Sequence, residues 1–390
     1  MEEKDNFKII AKTIYGFEDL LLAELETMGA KDLEKGRRMV SFTGNLELVY
    51  KCNLACRTAI KILKPIFQFH AFTEQSLYEN IQKIDWTKYL KLNQTFAIDA
   101  TVHSEHFNHS LYVSQKTKDA IADQFRGHFN ERPSVDLKNP DIRINIHINE
   151  HEVSVALDSS GESLNKRGYR KSTNVAPMNE VLAAGLIILS NWDKTTDFLD
   201  PMCGSGTILI EAAMIAQKIP PNFLRNDFAF MKWNDWDAIL YDKVKKELNA
   251  AVVPLKTKIK GYDKDEAVVE KAKSNIELAG FESIISVEHK DFFETQKDNE
   301  EPLHILFNPP YNERIDVETE NFYKQIGDTF KKNYPGTTAW FVTANLDGLK
   351  YVGLKASRRI VVANGQLEAR LAKYDIYAGT KKQPKAPENE

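Results

Sequence analysis

Four short clusters of residues combine side chains and backbone geometry suited to holding a nucleoside beside an aromatic amine. The most specific is Asn308-Pro309-Pro310-Tyr311. Its two prolines remove two backbone donors and fix φ, so the loop is rigid and its carbonyl groups lack nearby donors. The Asn308 side-chain oxygen and the Pro309 carbonyl can together accept both hydrogens of an –NH2 group. Tyr311 offers a flat face for stacking a base. Such a loop would hold an aromatic amine in line with an incoming methyl group. The other reading, a turn without function, is set aside because three earlier strand ends carry nucleoside-binding residue types.

The first of those strand ends is Asp200-Pro201-Met202-Cys203-Gly204-Ser205-Gly206-Thr207. Two glycines let backbone N–H groups approach a ligand at the carboxyl end of a strand. The run lacks the third glycine of a dinucleotide fingerprint and the Gly-Lys-Ser/Thr of a phosphate-binding loop. Asp263 ends the next predicted strand, where a carboxylate can accept from both hydroxyls of a ribose. Asp263 and Asp265 both precede a helix, so a capping role is an equal alternative. Asp291-Phe292 ends the third strand. There an acid can accept from an adenine amino group while the ring packs on the base, although a structural role is equally open.

The elements that position these clusters alternate strictly. Strands are predicted at 198–200, 258–263, 284–290, 303–307 and 337–343, with helices at 209–216, 266–279 and 322–333 between them. Two final strands, near 359–362 and 367–377, flank the turn Asn364-Gly365. This pattern predicts a doubly wound sheet closed by an antiparallel hairpin. The first half reads as two small α+β units in series. Its strands are predicted at 7–13, 38–43, 59–68, 95–102, 142–148 and 152–158, and its helices at 17–28, 46–53, 74–81 and 111–129. The tail 381–390, rich in Lys, Pro and Glu, reads as disordered.

Composition narrows the function classes. The net charge of −4 gives no global signal for nucleic acid, so any such contact must come from a local basic patch. One patch holds Lys166, Arg167, Arg170 and Lys171; a second holds Arg358, Arg359, Arg370 and Lys373. Apolar runs are too short to span a membrane and the N-terminus lacks a signal pattern, which predicts a cytoplasmic protein. Cys52, Cys56 and Cys203 form neither a disulfide framework nor a zinc set. Cys203 reads as a small filler in its loop. His103, His106 and His109 invite a metal reading, but they fall in a predicted loop, and no metal is expected. Ser154, Ser159 and Ser160 lack His and Asp partners for hydrolase chemistry.

At these positions the sequence resembles class I S-adenosylmethionine methyltransferases that act on exocyclic amines. The run from Asp158 to Arg170, Ala176-Pro177, Lys118-Asp119-Ala120-Ile121 and Asn364-Gly365 extend the likeness to RlmL-type 23S rRNA guanine-N2 methyltransferases. The resemblance covers nearly the whole chain. It implies a Rossmann-like methyltransferase domain over 157–380, an RNA-binding THUMP domain over 45–156 and a ferredoxin-like unit over 1–44. Asp200, Cys203, Gly204, Ser205, Gly206, Thr207, Asp263, Asp291 and Phe292 would then hold S-adenosylmethionine. Asn308, Pro309, Pro310 and Tyr311 would hold the target base. Lys116, Lys118, Lys166, Arg167, Arg170 and Lys171 would contact RNA, 23S rRNA or a large-subunit assembly intermediate. The second methyltransferase fused to some family members is not expected. Three other functions share parts of the pattern: adenine-N6 methylation of DNA or RNA, guanine-N2 methylation of tRNA, and a non-enzymatic assembly factor. The Asn-Pro-Pro-Tyr motif alone does not separate the first two from rRNA methylation.

Overall fold

The computed structural model describes residues 6–170, 178–310, 317–365 and 367–377. Tyr311, Lys171, Ala176-Pro177 and the tail 381–390 lie outside them. The chain divides into two compact units: residues 1–168 with 219–252, and residues 169–218 with 253–390.

The first unit is built on one eight-stranded sheet. Its strands are β1 (Phe7–Thr13), β2 (Lys31–Gly36), β3 (Met39–Gly44), β4 (Ala59–His70), β5 (Thr95–His103), β6 (Ser134–Val135), β7 (Ile142–Asn149) and β8 (Glu152–Asp158). They lie in the order β2-β3-β1-β4-β8-β7-β5-β6. The twelve-residue β4 joins the two expected α+β units into a continuous sheet: it pairs with β1 through Ala59–Leu63 and with β8 through Leu63–His70. Pro65 is tolerated within it because the register shifts there. Helices α1 (Glu18–Thr27), α2 (Leu46–Ala55), α3 (Glu74–Gln82) and α4 (Ser110–Phe129) carry apolar residues at helical spacing. In β7 the burial alternates, so Ile142, Ile144, Ile146 and Ile148 join the same core as Ile81, Ile121 and Phe125.

Residues 219–252 also belong to this unit, although they follow the glycine-rich loop in sequence. Their anchor is aromatic. Tyr50 of α2 lies 4.6 Å from Phe230, 5.2 Å from Trp236 and 5.8 Å from Tyr241, ring centre to ring centre. Polar contacts tie the remainder: Asn222 Nδ2 donates to the Asn53 carbonyl at 2.9 Å, and Arg57 Nη2 to the Ile219 carbonyl at 2.7 Å. The sequence reading assigns no element between 217 and 257, yet α7 (Ala238–Ala250) lies there, capped by Asp237.

The second unit is the expected doubly wound sheet. It contains α5 (Glu180–Leu189), β9 (Asp197–Asp200), α6 (Thr207–Ala216), β10 (Ile259–Asp263), α8 (Glu266–Leu278), β11 (Ile285–His289), β12 (Leu303–Phe307), α9 (Val317–Asn333), β13 (Thr337–Thr343), β14 (Arg358–Asn364) and β15 (Leu367–Ile376). The order is β11-β10-β9-β12-β13-β15-β14; the first five are parallel, and β15 returns antiparallel to β13. The strand order reverses at β9, between β10 and β12, and a crevice opens beyond the carboxyl ends there. Among the described residues no helix is long and apolar enough to cross a membrane.

Candidate active site

A cavity of about 880 Å³ occupies this crevice, entirely within the second unit. Its wall begins with the loop between β9 and α6. Gly204 (φ +53°) and Gly206 (φ +80°) both take the left-handed conformation that glycine adopts without a Cβ penalty. No side chain caps α6, so its first backbone N–H groups are left to the loop and to whatever enters the cavity. Three neighbours fix the loop: Cys203 N donates to the Tyr262 carbonyl at 2.8 Å, Gly204 N to Asp263 Oδ2 at 3.0 Å, and Asn275 Nδ2 to the Ser205 carbonyl at 3.0 Å. Gly261 makes the close approach of β10 possible. A Cβ there would lie 2.4 Å from Leu209 Cδ1 and 3.1 Å from Cys203 Sγ. Burial, and then the charges of Asp200 and Asp263, push the Cys203 thiol well above its usual range. It therefore stays a neutral filler between loop and strand.

Two acids flank the loop. Asp200 is buried and accepts from Met202 N at 3.1 Å; burial pushes its carboxyl well above the usual range, the neighbouring Asp263 adding to it. Asp263 accepts from Gly204 N through one oxygen and from Asp265 N (3.1 Å) through the other. The cap of α8 is Asp265, whose side chain accepts from Ala267 N at 2.9 Å. Asp263 is thus free of the capping role that the sequence left open for it, and its side chain lines the cavity.

At the end of β11, Asp291 accepts from Phe293 N at 2.9 Å. Phe292 lines the cavity, as expected, and also belongs to the core beneath it. Only 1% exposed, its ring belongs to the aromatic core, 5.8 Å from both Phe307 and Phe330 and 5.6 Å from Tyr334. The neighbouring Phe293 is half-buried, lines the same cavity and meets Phe322 edge-on at 5.6 Å. Both rings stand at the cavity, and Phe293, which the sequence reading passed over, is the more exposed of the two. β12 ends at Asn308, whose Oδ1 is buried and has no hydrogen-bond partner among the described residues. Pro309 is buried and Pro310 exposed, and all three line the cavity.

The expected RNA-contacting cations scatter. Lys116 lies over the Tyr78 ring at 5.1 Å, and Lys118 pairs with Asp119 at 2.8 Å. Lys166 is exposed and paired with Glu162. Two positions are corrections. Arg167 is 1% exposed and donates to the Arg57 carbonyl at 2.9 Å, so it presents no charge to a phosphate. Arg170 pairs with Glu180 at 3.1 Å and donates to the Met178 carbonyl at 2.7 Å and to Thr207 Oγ1. Its guanidinium is a brace for the start of α6. A guanidinium can satisfy several carbonyls at once, and composition cannot distinguish that use from a solvated cation. Sequence reasoning also missed Asn275, although a polar residue at a buried position of α8 is a signal of a required hydrogen bond. Among the described residues no group of three or more His, Cys, Asp or Glu could hold a metal ion.

Comparison with known proteins agrees with this geometry. Residues 167–373 match the family described as RMKL-like, methyltransferase domain. Residues 71–158 match the THUMP domain and 8–63 the RlmL ferredoxin-like domain. The chain is 38% identical over 93% of its length to "Ribosomal RNA large subunit methyltransferase K/L" of Methylococcus capsulatus, of which it spans 50%. It is 36% identical to "Putative RNA methyltransferase slr0064" of Synechocystis sp., covering 93% of this chain and 95% of that one. In three dimensions it is similar to SMU.472, "a putative methyltransferase complexed with SAH", with a TM-score of 0.86 and 31% identity over 97% of this chain and 100% of that one.

Proposed function

The chain belongs to the RMKL-like methyltransferase family, and from that premise we propose that it transfers a methyl group from S-adenosylmethionine to the exocyclic N2 amine of a guanine in large-subunit ribosomal RNA. The observation that carries this reading is the buried Oδ1 of Asn308, without a partner among the described residues, beside a cavity that the glycine loop also lines. An unmet buried acceptor costs about 1–3 kcal/mol, and an N–H of a substrate amine would relieve it.

The residues around the cavity fit the cofactor. The left-handed turn at Gly204 and Gly206 opens room beside the N-terminus of α6 for the amino-acid end. Asp263 reaches the cavity with lone pairs for ribose hydroxyls, and Asp291 with Phe293 bounds the end suited to adenine. When bound, the cofactor supplies an activated methyl group on a positively charged sulfur.

What this chain adds is orientation. The lone pair of a base amine is delocalised into its ring, so the amine is a poor nucleophile. Accepting its hydrogens at Asn308 Oδ1 and the Pro309 carbonyl favours the geometry in which the lone pair is localised on nitrogen and points at the methyl carbon. No strong base is required, because the methylated amine is acidic and releases its proton readily. A base paired inside a helix cannot bring its amine to Asn308 at the strand end, so the target must be unpaired or turned out of its helix. The THUMP and ferredoxin-like matches support RNA as the substrate. The chain spans about half the length of the K/L relative; the methylation proposed here is the one this cavity serves.

The test is methylation of deproteinised 23S rRNA by the full chain, followed by nucleoside mass spectrometry. N2-methylguanosine is the expected product. N6-methyladenosine would overturn the base assignment, and methylation of tRNA alone would overturn the RNA class.

A further inference from the structure

The second basic patch of the sequence is not used by the site described above, and its position gives it a role. Arg358 and Arg359 open β14, the outermost strand of the second unit's sheet. Both are exposed, and neither forms an ion pair among the described residues. Arg370 and Lys373 of β15, by contrast, pair with Glu368 (2.8 Å) and Asp375 (2.9 Å). The other end of the same hairpin reaches the cavity. Asn364 and Leu367 face each other across the ladder at its tip, and both line the cavity that Asn308 lines. Leu367 nevertheless remains 54% exposed. Register places Arg358 and Lys373 on the face that carries Asn364 and Leu367 at the tip. From Arg358 to Asn364 the strand spans roughly 20 Å at about 3.4 Å per residue.

We propose that this hairpin is an RNA-docking surface on the methyltransferase unit itself: Arg358, on the same face as the tip, holds a phosphate of a single strand a few nucleotides from the target, and Leu367 packs against the base at the cavity mouth. The occupant follows from charge and continuity. Arg358, without an ion pair among the described residues, matches a phosphate at one end, whereas the other end is an apolar rim on a cavity built for a planar amine. A single strand suits both, because its bases can leave a stack while its backbone follows the strand edge. Duplex nucleic acid would keep its bases from the tip. Charged residues on an edge strand can also serve only to prevent edge-to-edge pairing between copies, and the experiment separates the two roles.

The proposal rests on the RNA methyltransferase reading above. Its test uses the full chain, a fluorescein-labelled mixed-sequence 20-nucleotide single-stranded RNA, and a salt titration of binding. Arg358→Gln should weaken binding about fivefold and flatten the log–log salt slope by about 0.7, one single-strand phosphate. Leu367→Ala should leave that slope unchanged and lower kcat/KM for deproteinised 23S rRNA about tenfold. Cofactor affinity, measured on the same preparations, reports that the arginine variant is folded. Wild-type RNA affinity and slope in that variant would reduce Arg358 to edge protection and overturn the proposal, as would a normal kcat/KM for Leu367→Ala. A wild-type chain that binds the probe but methylates no RNA would overturn the proposed function instead, and the salt slope would still decide for or against the hairpin.

Discussion

Replacing Asn308 by alanine should separate stability from turnover in an unusual direction. Among the described residues Asn308 Oδ1 is buried without a partner, so the folded protein bears the desolvation cost of a carbonyl oxygen, about 1–3 kcal/mol. Alanine removes that cost. Against it stand the van der Waals contacts of a half-buried side chain, worth about 1 kcal/mol or less. The expected net change lies between zero and a gain of about 2 kcal/mol, or up to about 8 °C in Tm at about 2–4 °C per kcal/mol for a domain of 150–250 residues. Turnover should move the other way, falling about 10²–10³-fold, as for the loss of one preorganised polar partner. Thermal unfolding by circular dichroism and single-turnover transfer from labelled cofactor read the two effects. A variant less stable by several degrees that still methylates at the wild-type rate would refute the reasoning, because Asn308 would then be a structural residue.

Asp263→Ala should weaken cofactor binding by about 1.5–3 kcal/mol, the scale of a charge-assisted hydrogen bond; titration calorimetry with unchanged affinity would limit Asp263 to bracing Gly204. Gly261→Ala should destabilise the protein by about 1–3 kcal/mol through overpacking, since the new Cβ would meet Leu209 at 2.4 Å and Cys203 at 3.1 Å; an unshifted urea midpoint would show that the loop tolerates displacement. Acid should destabilise the fold through His304, which is buried against Ser190 Oγ at 2.9 Å and whose pKa burial lowers from 6.5 to about 4. Its unfolded form binds a proton first, so this contribution is present above pH 6.5 and lost as pH falls toward 4, at most about 3 kcal/mol from 2.5 units at 1.36 kcal/mol each. Urea unfolding of wild type and His304→Gln at pH 7 and 4.5 checks this, and equal losses in the two proteins would discount His304.

Cutting the chain at 160 illustrates what packing adds to sequence. The domain boundary expected at 156/157 makes a cut near there natural on paper. Yet Phe230, Trp236 and Tyr241, downstream of the cut, pack around Tyr50, upstream of it. Such a fragment would expose these rings, and its failure to bind cofactor would say nothing about the front half.

The sequence by itself determined the parts whose physics is local. Strand-to-helix alternation, two glycines that must turn left-handed and two prolines that stiffen a strand end are written within a few residues, so the doubly wound unit and the places of Asp200, Asp263 and Asn308 were legible. Even there, the choice of cap for α8 between Asp263 and Asp265 needed coordinates, because both precede the helix and only distance assigns the bond. Strand β2 was invisible because its charged run Lys31–Gly36 has no apolar alternation; it lies at a sheet edge, where burial imposes none. The remaining differences are all long-range. Arg167 looks like a surface cation until the Arg57 carbonyl, 110 residues away, receives its guanidinium. Phe292 and Phe293 are alike in sequence, and only the packing of Phe330 and Tyr334 decides which ring is buried. Segment 219–252 follows the glycine loop in the chain but belongs to the other unit, because the aromatic surface that can bury its rings is there. Side-chain type and spacing encode what a residue can do; tertiary contacts distant in the chain decide which of those capacities is used.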